Sequence, residues 1–333
     1  MAENPVLEVH DLHVTFQTEG GPVPAVAGID FAVAAGKTLA IVGESGSGKS
    51  VSSAAVMGLL PSNADLTGEV LLDGRELVGL PNDELRKIRG NDIALVFQDA
   101  LSALNPYYSV GWQVAEAYRL HHAVSKKEAF ERAVRMLDLV GIPSAKARAK
   151  DYPHEFSGGM RQRVVIAMAL INDPKVLIAD EPTTALDVTV QAQIMRLLED
   201  VQKEFGTALV LISHDLGVVA EVADDVLVMY AGRAAEHGSV KDLFYRAAHP
   251  YSLGLLGAMP RVDVPPRHRL TTIPGSPPSP GSIKTGCAFQ PRCAYASQVG
   301  ERCVTERPEL TPRPGEGYHE AACHLGRRPE AAL

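Results

Sequence analysis

Apolar and polar positions alternate through Leu7–Phe16, the period of a strand with one buried face. Lys37–Val42 is a short apolar run of strand length that leads into Gly43-Glu44-Ser45-Gly46-Ser47-Gly48-Lys49-Ser50. The residues after it read as a helix stopped near Leu60 by Pro61. Glu69–Leu72 and Ile93–Phe97 are further strand candidates. From about Asn105 to Ala149 the period becomes helical, and Lys126–Val140 sets Ala129, Ala133, Met136, Leu137 and Val140 on one face. Strand runs return at Val176–Ala179, Ala208–Ile212 and Val226–Met229, with helices predicted over Val190–Phe205 and Leu216–Ala223. Alternating strands and helices imply an α/β core on a mainly parallel sheet, with the middle helical block inserted into it.

The end of the chain has a different character. Residues 260–281 carry seven prolines, a density that disfavours regular structure and predicts an extended, coreless connector. The four cysteines, Cys287, Cys293, Cys303 and Cys323, all follow it. Over the whole chain the 22% charged and 46% hydrophobic content excludes wholesale disorder. The 333 residues suit one large domain or two modest ones. The net charge of −8 argues against a nonspecific nucleic-acid coat, and no nucleic-acid partner is expected. The longest apolar run, Val164–Ile171, falls far short of a membrane helix. Met1–Pro5 lacks the basic and apolar regions of a signal peptide, which predicts a cytosolic chain able to dock on a membrane protein. In that compartment clustered cysteines point to a metal or redox site ahead of disulfides.

Two motifs carry chemistry. Gly43–Ser50 fits G-x-x-x-x-G-K-S between a predicted strand and a predicted helix. Glycines let successive backbone N–H groups turn inward around phosphate oxygens, and the helix N-terminus adds partial positive charge. Lys49 would reach the β- and γ-phosphates of a nucleoside triphosphate, and Ser50 would ligate Mg²⁺. Lys175–Glu181 is an apolar strand ending in adjacent carboxylates. Asp180 would help hold Mg²⁺ through water, and Glu181 would polarise the attacking water as general base. The plain structural alternative is an acidic helix cap before Pro182.

Phe156-Ser157-Gly158-Gly159-Met160-Arg161-Gln162 resembles the signature motif of ATP-binding-cassette ATPases, with Ser157 placed 18 residues before Lys175. Gln98 in Val96-Phe97-Gln98-Asp99 resembles that family's Q-loop, Thr184-Ala185-Leu186-Asp187 its D-loop, and His214 its switch histidine. Together with the phosphate loop and the acidic strand end, these matches cover about residues 5–240. Ser157–Val164, Asp180–Gln193, His249-Pro250-Tyr251 and Ile273-Pro274-Gly275 resemble the oligopeptide/dipeptide importer subfamily, and Met160-Arg161 resembles its D-type subunit.

The resemblance implies a P-loop NTPase cassette over residues 5–240: a RecA-like core, an antiparallel β subdomain and a helical subdomain at about 100–160. It also implies a Pro/Cys-rich extension over 241–333. The expected function is ATP hydrolysis that powers import of di- and oligopeptides at the cytoplasmic face of the inner membrane. The partners implied are a second cassette (an F-type paralogue), two transmembrane permease subunits and, indirectly, an extracytoplasmic peptide-binding protein. Ser157, Gly158 and Gly159 would contact the nucleotide of the partner cassette. Phe16 stands where the family stacks adenine, although a core strand aromatic is an equally plain role. Gln98 would touch Mg²⁺ or the attacking water, His214 would steady the γ-phosphate, and Asp187 would shape the dimer contact or cap a helix. Met160 replaces the usual Gln of the signature. Asp99–Pro106 resembles the surface that receives a permease coupling helix.

The cysteines are separated by five, nine and nineteen residues, neither a zinc-ribbon nor a compact ferredoxin spacing. Spacing leaves a [4Fe–4S] cluster, zinc and unmetallated thiols open. The resemblance favours a structural [4Fe–4S] cluster, with zinc as the alternative. His319 and His324 are expected to be solvated. Other readings are a nickel or small-solute importer, a soluble cassette acting on ribosomes or DNA, and a nonhydrolytic regulatory cassette. The last is disfavoured by the presence of Lys49, Asp180, Glu181 and His214.

Overall fold

The computed structural model describes residues 4–97, 103–184, 186–259, 272–279, 281–283, 285–313, 318–326 and 329. Its strands are β1 (Pro5–Thr18), β2 (Gly21–Ala34), β3 (Thr38–Val42), β4 (Ala64–Leu72), β5 (Arg75–Glu76), β6 (Ile93–Val96), β7 (Val176–Asp180), β8 (Ala208–Ser213), β9 (Asp225–Tyr230), β10 (Arg233–Ser239), β11 (Thr311–Pro312) and β12 (Glu320–Ala321). Its α-helices are α1 (Lys49–Val56), α2 (Asn82–Ile88), α3 (Val110–Arg119), α4 (Lys126–Leu139), α5 (Ala145–Arg148), α6 (Gly158–Leu170), α7 (Val188–Phe205), α8 (Leu216–Val222), α9 (Val240–Arg246), α10 (Pro250–Gly257), α11 (Ala296–Val299) and α12 (Arg302–Thr305).

Two sheets organise the chain. One is antiparallel, in the order β2-β1-β4-β5. The other runs β11-β12-β10-β9-β3-β8-β7-β6 and is parallel from β9 through β6. Every residue of β3, β7 and β8 is buried, as expected for parallel strands covered on both faces. The two-residue period divides their side chains between layers. Leu177 and Ala179 of β7, with Leu209 and Leu211 of β8, join the core of the helical block. Val176, Ile178, Val210 and Ile212 face the opposite layer, shared with Leu39 and Ile41 of β3, α1 and the antiparallel sheet.

The helical block forms where its pattern predicts. Ser125 caps α4 by accepting a hydrogen bond from the Glu128 N–H at 3.1 Å, and Ala129, Ala133, Met136 and Leu137 are buried on its inner face. Strand β2 was not legible. It carries Pro22, Pro24 and Gly28, which a central strand would not tolerate but an edge strand does.

The end of the chain is not coreless. A third apolar cluster combines Ala40, Val42, Val228 and Tyr230 with Leu243, Tyr251 and Phe289. The short β12 pairs with β10, so the tail extends the main sheet. A buried polar knot fastens this junction. Glu236, 1% exposed, accepts hydrogen bonds from the Ala248 and His249 N–H groups at 2.7 and 2.9 Å and pairs with His319 Nε2 at 2.8 Å. His319 is fully buried, contrary to the expectation of a solvated ring, because a buried carboxylate needs a charged or donating partner. His324 is half-buried, with Nε2 2.8 Å from the Glu306 carbonyl oxygen.

The junction makes the fold acid-sensitive. Burial lowers His237 and His249 from 6.5 to about 4. Between those values the unfolded chain binds protons that the folded chain excludes, so stability falls as pH drops through that window. Thermal unfolding between pH 7.5 and pH 4.5 should show a falling midpoint, and His237→Gln should flatten the decline. A midpoint independent of pH over that range would contradict the burial of both rings.

Candidate functional site

The site lies at the C-terminal ends of three adjacent parallel strands, β3, β8 and β7, the place where open α/β sheets bind ligands. From β3 the chain turns through Gly43–Gly48 and enters α1 at Lys49. The glycines here are sterically required. A Cβ at Gly43 would lie 2.2 Å from the Met229 carbonyl oxygen and 2.8 Å from Ser47 Oγ. Gly48 has φ +103°, and a Cβ there would meet the Ala25 carbonyl oxygen at 2.7 Å. The loop is anchored by the Gly232 N–H, which donates to the Ser47 carbonyl at 2.9 Å.

Lys49 is 6% exposed, and its ammonium donates to the Gly43 and Glu44 carbonyl oxygens at 2.8 and 3.0 Å. Burial lowers its pKa, opposed by the nearby charges of Glu181, Asp180 and Glu44. Asp180, 8% exposed, shares a hydrogen bond with Ser50, and burial raises its pKa. Two buried polar atoms at the cup, Ser47 Oγ and Asp180 Oδ1, have no hydrogen-bond partner among the described residues. Orphaned buried acceptors and donors are costly and mark a place where a polar ligand completes the site. A buried cation, an acidic oxygen and a glycine cradle fit a nucleoside triphosphate, and Ser50 and Asp180 are the residues that would hold its Mg²⁺.

Glu181 follows the last residue of β7 with φ +47°, an uncommon conformation for a side-chain-bearing residue. Its N–H still donates to the Ile212 carbonyl at 2.9 Å. The carboxylate accepts from Thr184 Oγ1 at 2.9 Å and lies 3.3 Å from His214 Nδ1, just past the end of β8. The His214 side chain is largely exposed, whereas that of Glu181 is mostly buried.

The remaining sequence-derived residues are further out. Ser157 caps α6, with Oγ accepting the Met160 N–H at 3.4 Å, and Ser157 and Gly158 are exposed. Gly159 packs on Val190, which a Cβ would approach to 2.5 Å. Asp187 caps α7, accepting the Val190 N–H at 3.0 Å. Phe16 is half-buried on β1 against the core beneath the antiparallel sheet. Gln98 and the start of the Asp99–Pro106 segment lie outside the described residues.

The iron–sulfur expectation, with its zinc alternative, is corrected. Cys287, Cys293, Cys303 and Cys323 are all free and line one small pocket with Pro250, Phe289, Val299 and Leu325. Among the described residues, however, no group of three or more His, Cys, Asp or Glu is placed to hold a metal ion. Burial raises all four thiols, Cys287 to about 11, which favours the neutral S–H form.

Two residues of the C-terminal extension touch the phosphate loop, a contact that motif reasoning did not find even for Tyr251 of the His249-Pro250-Tyr251 motif. Tyr251 on α10 is fully buried, and its hydroxyl accepts the Glu44 N–H at 2.8 Å. Arg292 grips the Glu44 carboxylate with two nitrogens at 2.5 and 2.9 Å.

Residues 26–184 match the family model for the ABC transporter, and residues 235–299 match that for the oligopeptide/dipeptide transporter C-terminal region. The oligopeptide transport ATP-binding protein OppD of Salmonella typhimurium is 56% identical over 89% of this chain and 88% of its own length. The dipeptide transport ATP-binding protein DppD of Bacillus subtilis is 54% identical over 89% of each chain. Among solved structures, the dimeric cassette MJ0796 bound to ADP and Pi superposes with a TM-score of 0.63 at 29% identity, covering 70% of this chain and 98% of that one. With its phosphate cup, acidic strand end and capped signature helix, the chain belongs to the ABC transporter family as an ATP-binding subunit of the oligopeptide/dipeptide branch.

Proposed function

We propose that this chain binds and hydrolyses ATP to drive peptide import through a membrane transporter, working as one half of a pair of cassettes. The observation that carries the reading is the convergence of Lys49, the Ser50–Asp180 pair and the Glu181–His214 pair on the ends of adjacent strands. Gly43–Ser50 surrounds the phosphates, and the Lys49 ammonium turns from two loop carbonyls toward the β- and γ-oxygens. Ser50, Asp180 and Gln98 are the residues that would hold Mg²⁺, which would supply neutralising charge to the triphosphate. Glu181 takes a proton from the attacking water while His214 keeps that water and the γ-phosphate aligned. Phe16 offers a ring face to the adenine.

The exposed start of α6 presents the Ser157 hydroxyl and the Gly158 and Gly159 N–H groups to the γ-phosphate held by the second cassette. ATP then joins the two cassettes, and loss of the γ-phosphate releases them. The supporting finding is that a structural relative is a cassette dimer bound to ADP and Pi. The cassette region is taken as residues 5–240, and the segment 241–333 as an extension of the importer type, which the C-terminal family match supports. No helix among the described residues is long and apolar enough to cross a membrane. In this reading the chain works peripherally, at the cytoplasmic face of the inner membrane, with two permease subunits, an F-type second cassette and a peptide-binding protein outside, and its similarity to oligopeptide transport ATP-binding proteins is the support.

Glu181→Gln should keep Mg-ATP binding but lower phosphate release by at least about 100-fold, trapping the joined pair. In vesicles holding the full transporter, uptake of a labelled oligopeptide should require internal ATP and stop with this variant. Turnover at the unaltered rate would remove Glu181 from the role of base. Ser157→Arg places bulk and charge at the exposed helix start. It should lower the assembled transporter's ATPase by about tenfold or more while this chain's own Mg-ATP affinity is retained. Full activity would contradict a site shared between cassettes.

A further inference from the structure

Glu44 is the one acidic residue in the phosphate loop, and an acid there is a liability. A carboxylate beside a cup built for a triphosphate repels the charge the cup is meant to hold. The C-terminal extension deals with it. Arg292 donates from both terminal guanidinium nitrogens to the two Glu44 oxygens, the bidentate geometry that gives the strongest ion pairs. This hydrogen bonding is the main reason its pKa is raised.

Arg292 is itself rigidly held, with a side chain only 5% exposed. Its Nε donates to the Pro274 carbonyl at 2.8 Å and one terminal nitrogen donates to the Tyr230 hydroxyl at 3.2 Å. Its guanidinium carbon lies 5.8 and 5.9 Å from the ring centroids of Tyr230 and Phe289. The Tyr251 hydroxyl holds the backbone of the same loop residue. The acidic side chain and its amide are therefore both fixed by residues more than 200 positions away in sequence.

We infer that Arg292 is a positioning residue for ATP binding, which holds the Glu44 carboxylate out of the phosphate cup and so makes the C-terminal extension part of the nucleotide site. The inference rests on reading Gly43–Ser50 as the phosphate loop. It requires that Arg292 act through Glu44, which gives it a test that a merely structural staple would not pass.

The test uses the full chain, with Mg-ATP as the probe for affinity, and the assembled transporter for KM and kcat. Arg292→Gln should raise the Mg-ATP Kd and KM by about tenfold, with kcat within about twofold, because a freed carboxylate opposes the phosphates. The effect of Arg292→Gln should vanish in a Glu44→Gln background, so that Glu44→Gln combined with Arg292→Gln has the KM of Glu44→Gln alone. Arg292→Lys keeps a charge beside Glu44 but loses the fork, so it should fold and give an intermediate KM. An unaltered KM in both Arg292 variants, or an Arg292→Gln effect that persists undiminished in the Glu44→Gln background, would overturn the inference and leave Arg292 a structural staple. Lys49→Ala separates the two levels: if it binds Mg-ATP undiminished, the phosphate-loop reading itself fails, and the inference with it.

Discussion

An ammonium group buried at the mouth of a parallel sheet has to be compensated, and much of this molecule is arranged around that need. Lys49 is nearly inaccessible, and burial pulls its pKa down while three carboxylates nearby oppose the shift. Its hydrogen bonds go to neutral loop carbonyls and not to any of those acids. A carbonyl satisfies an ammonium's geometry but not its charge. The cup is therefore electrostatically incomplete on its positive side, as the orphaned Asp180 Oδ1 is on its negative side. A triphosphate with its divalent cation supplies both missing charges at once, which gives binding a driving force and makes loss of the γ-phosphate consequential.

That arrangement depends on where the strands end. Strands β3, β7 and β8 are buried throughout and apolar in their interiors, and their side chains alternate between two packed layers. Their polar residues sit at the strand ends, with Asp180 and Ser213 closing β7 and β8. The acidic end of β7 therefore emerges beside the glycine loop after β3, although 130 residues and a helical insertion separate them in sequence. The left-handed backbone at Glu181 is part of the same device, because it turns the carboxylate toward His214 and Thr184 while its N–H remains in the ladder.

The residues that gather at the strand ends, Lys49, Ser50, Asp180, Glu181 and His214, were legible in the sequence because they lie in short contiguous motifs with fixed strand and helix context. The buried strands were legible because a strand covered on both faces reads as an unbroken apolar run. β2 escaped because prolines and glycine break its pattern, and only its place at a sheet edge makes them tolerable. The tail was misread for a related reason. Its core contributions are single residues, such as Tyr251 and Phe289, scattered between prolines, so no local period reports them. The cysteine spacing left a cluster, zinc and free thiols open and the resemblance favoured the cluster; the four thiols line one pocket, but among the described residues they form no ligand set. The Arg292–Glu44 contact spans 248 positions and leaves no local trace at all.

The central claim is that the glycine cup and the acidic strand end serve one triphosphate. It is tested most directly by a structure of the assembled transporter carrying Glu181→Gln, loaded with Mg-ATP. The account predicts that the Lys49 ammonium has left the Gly43 and Glu44 carbonyls for the β- and γ-phosphates, with Ser50 and Asp180 at the Mg²⁺ and residue 181 facing the γ-phosphate. Phosphates bound elsewhere, with Lys49 still on its loop carbonyls, would contradict it.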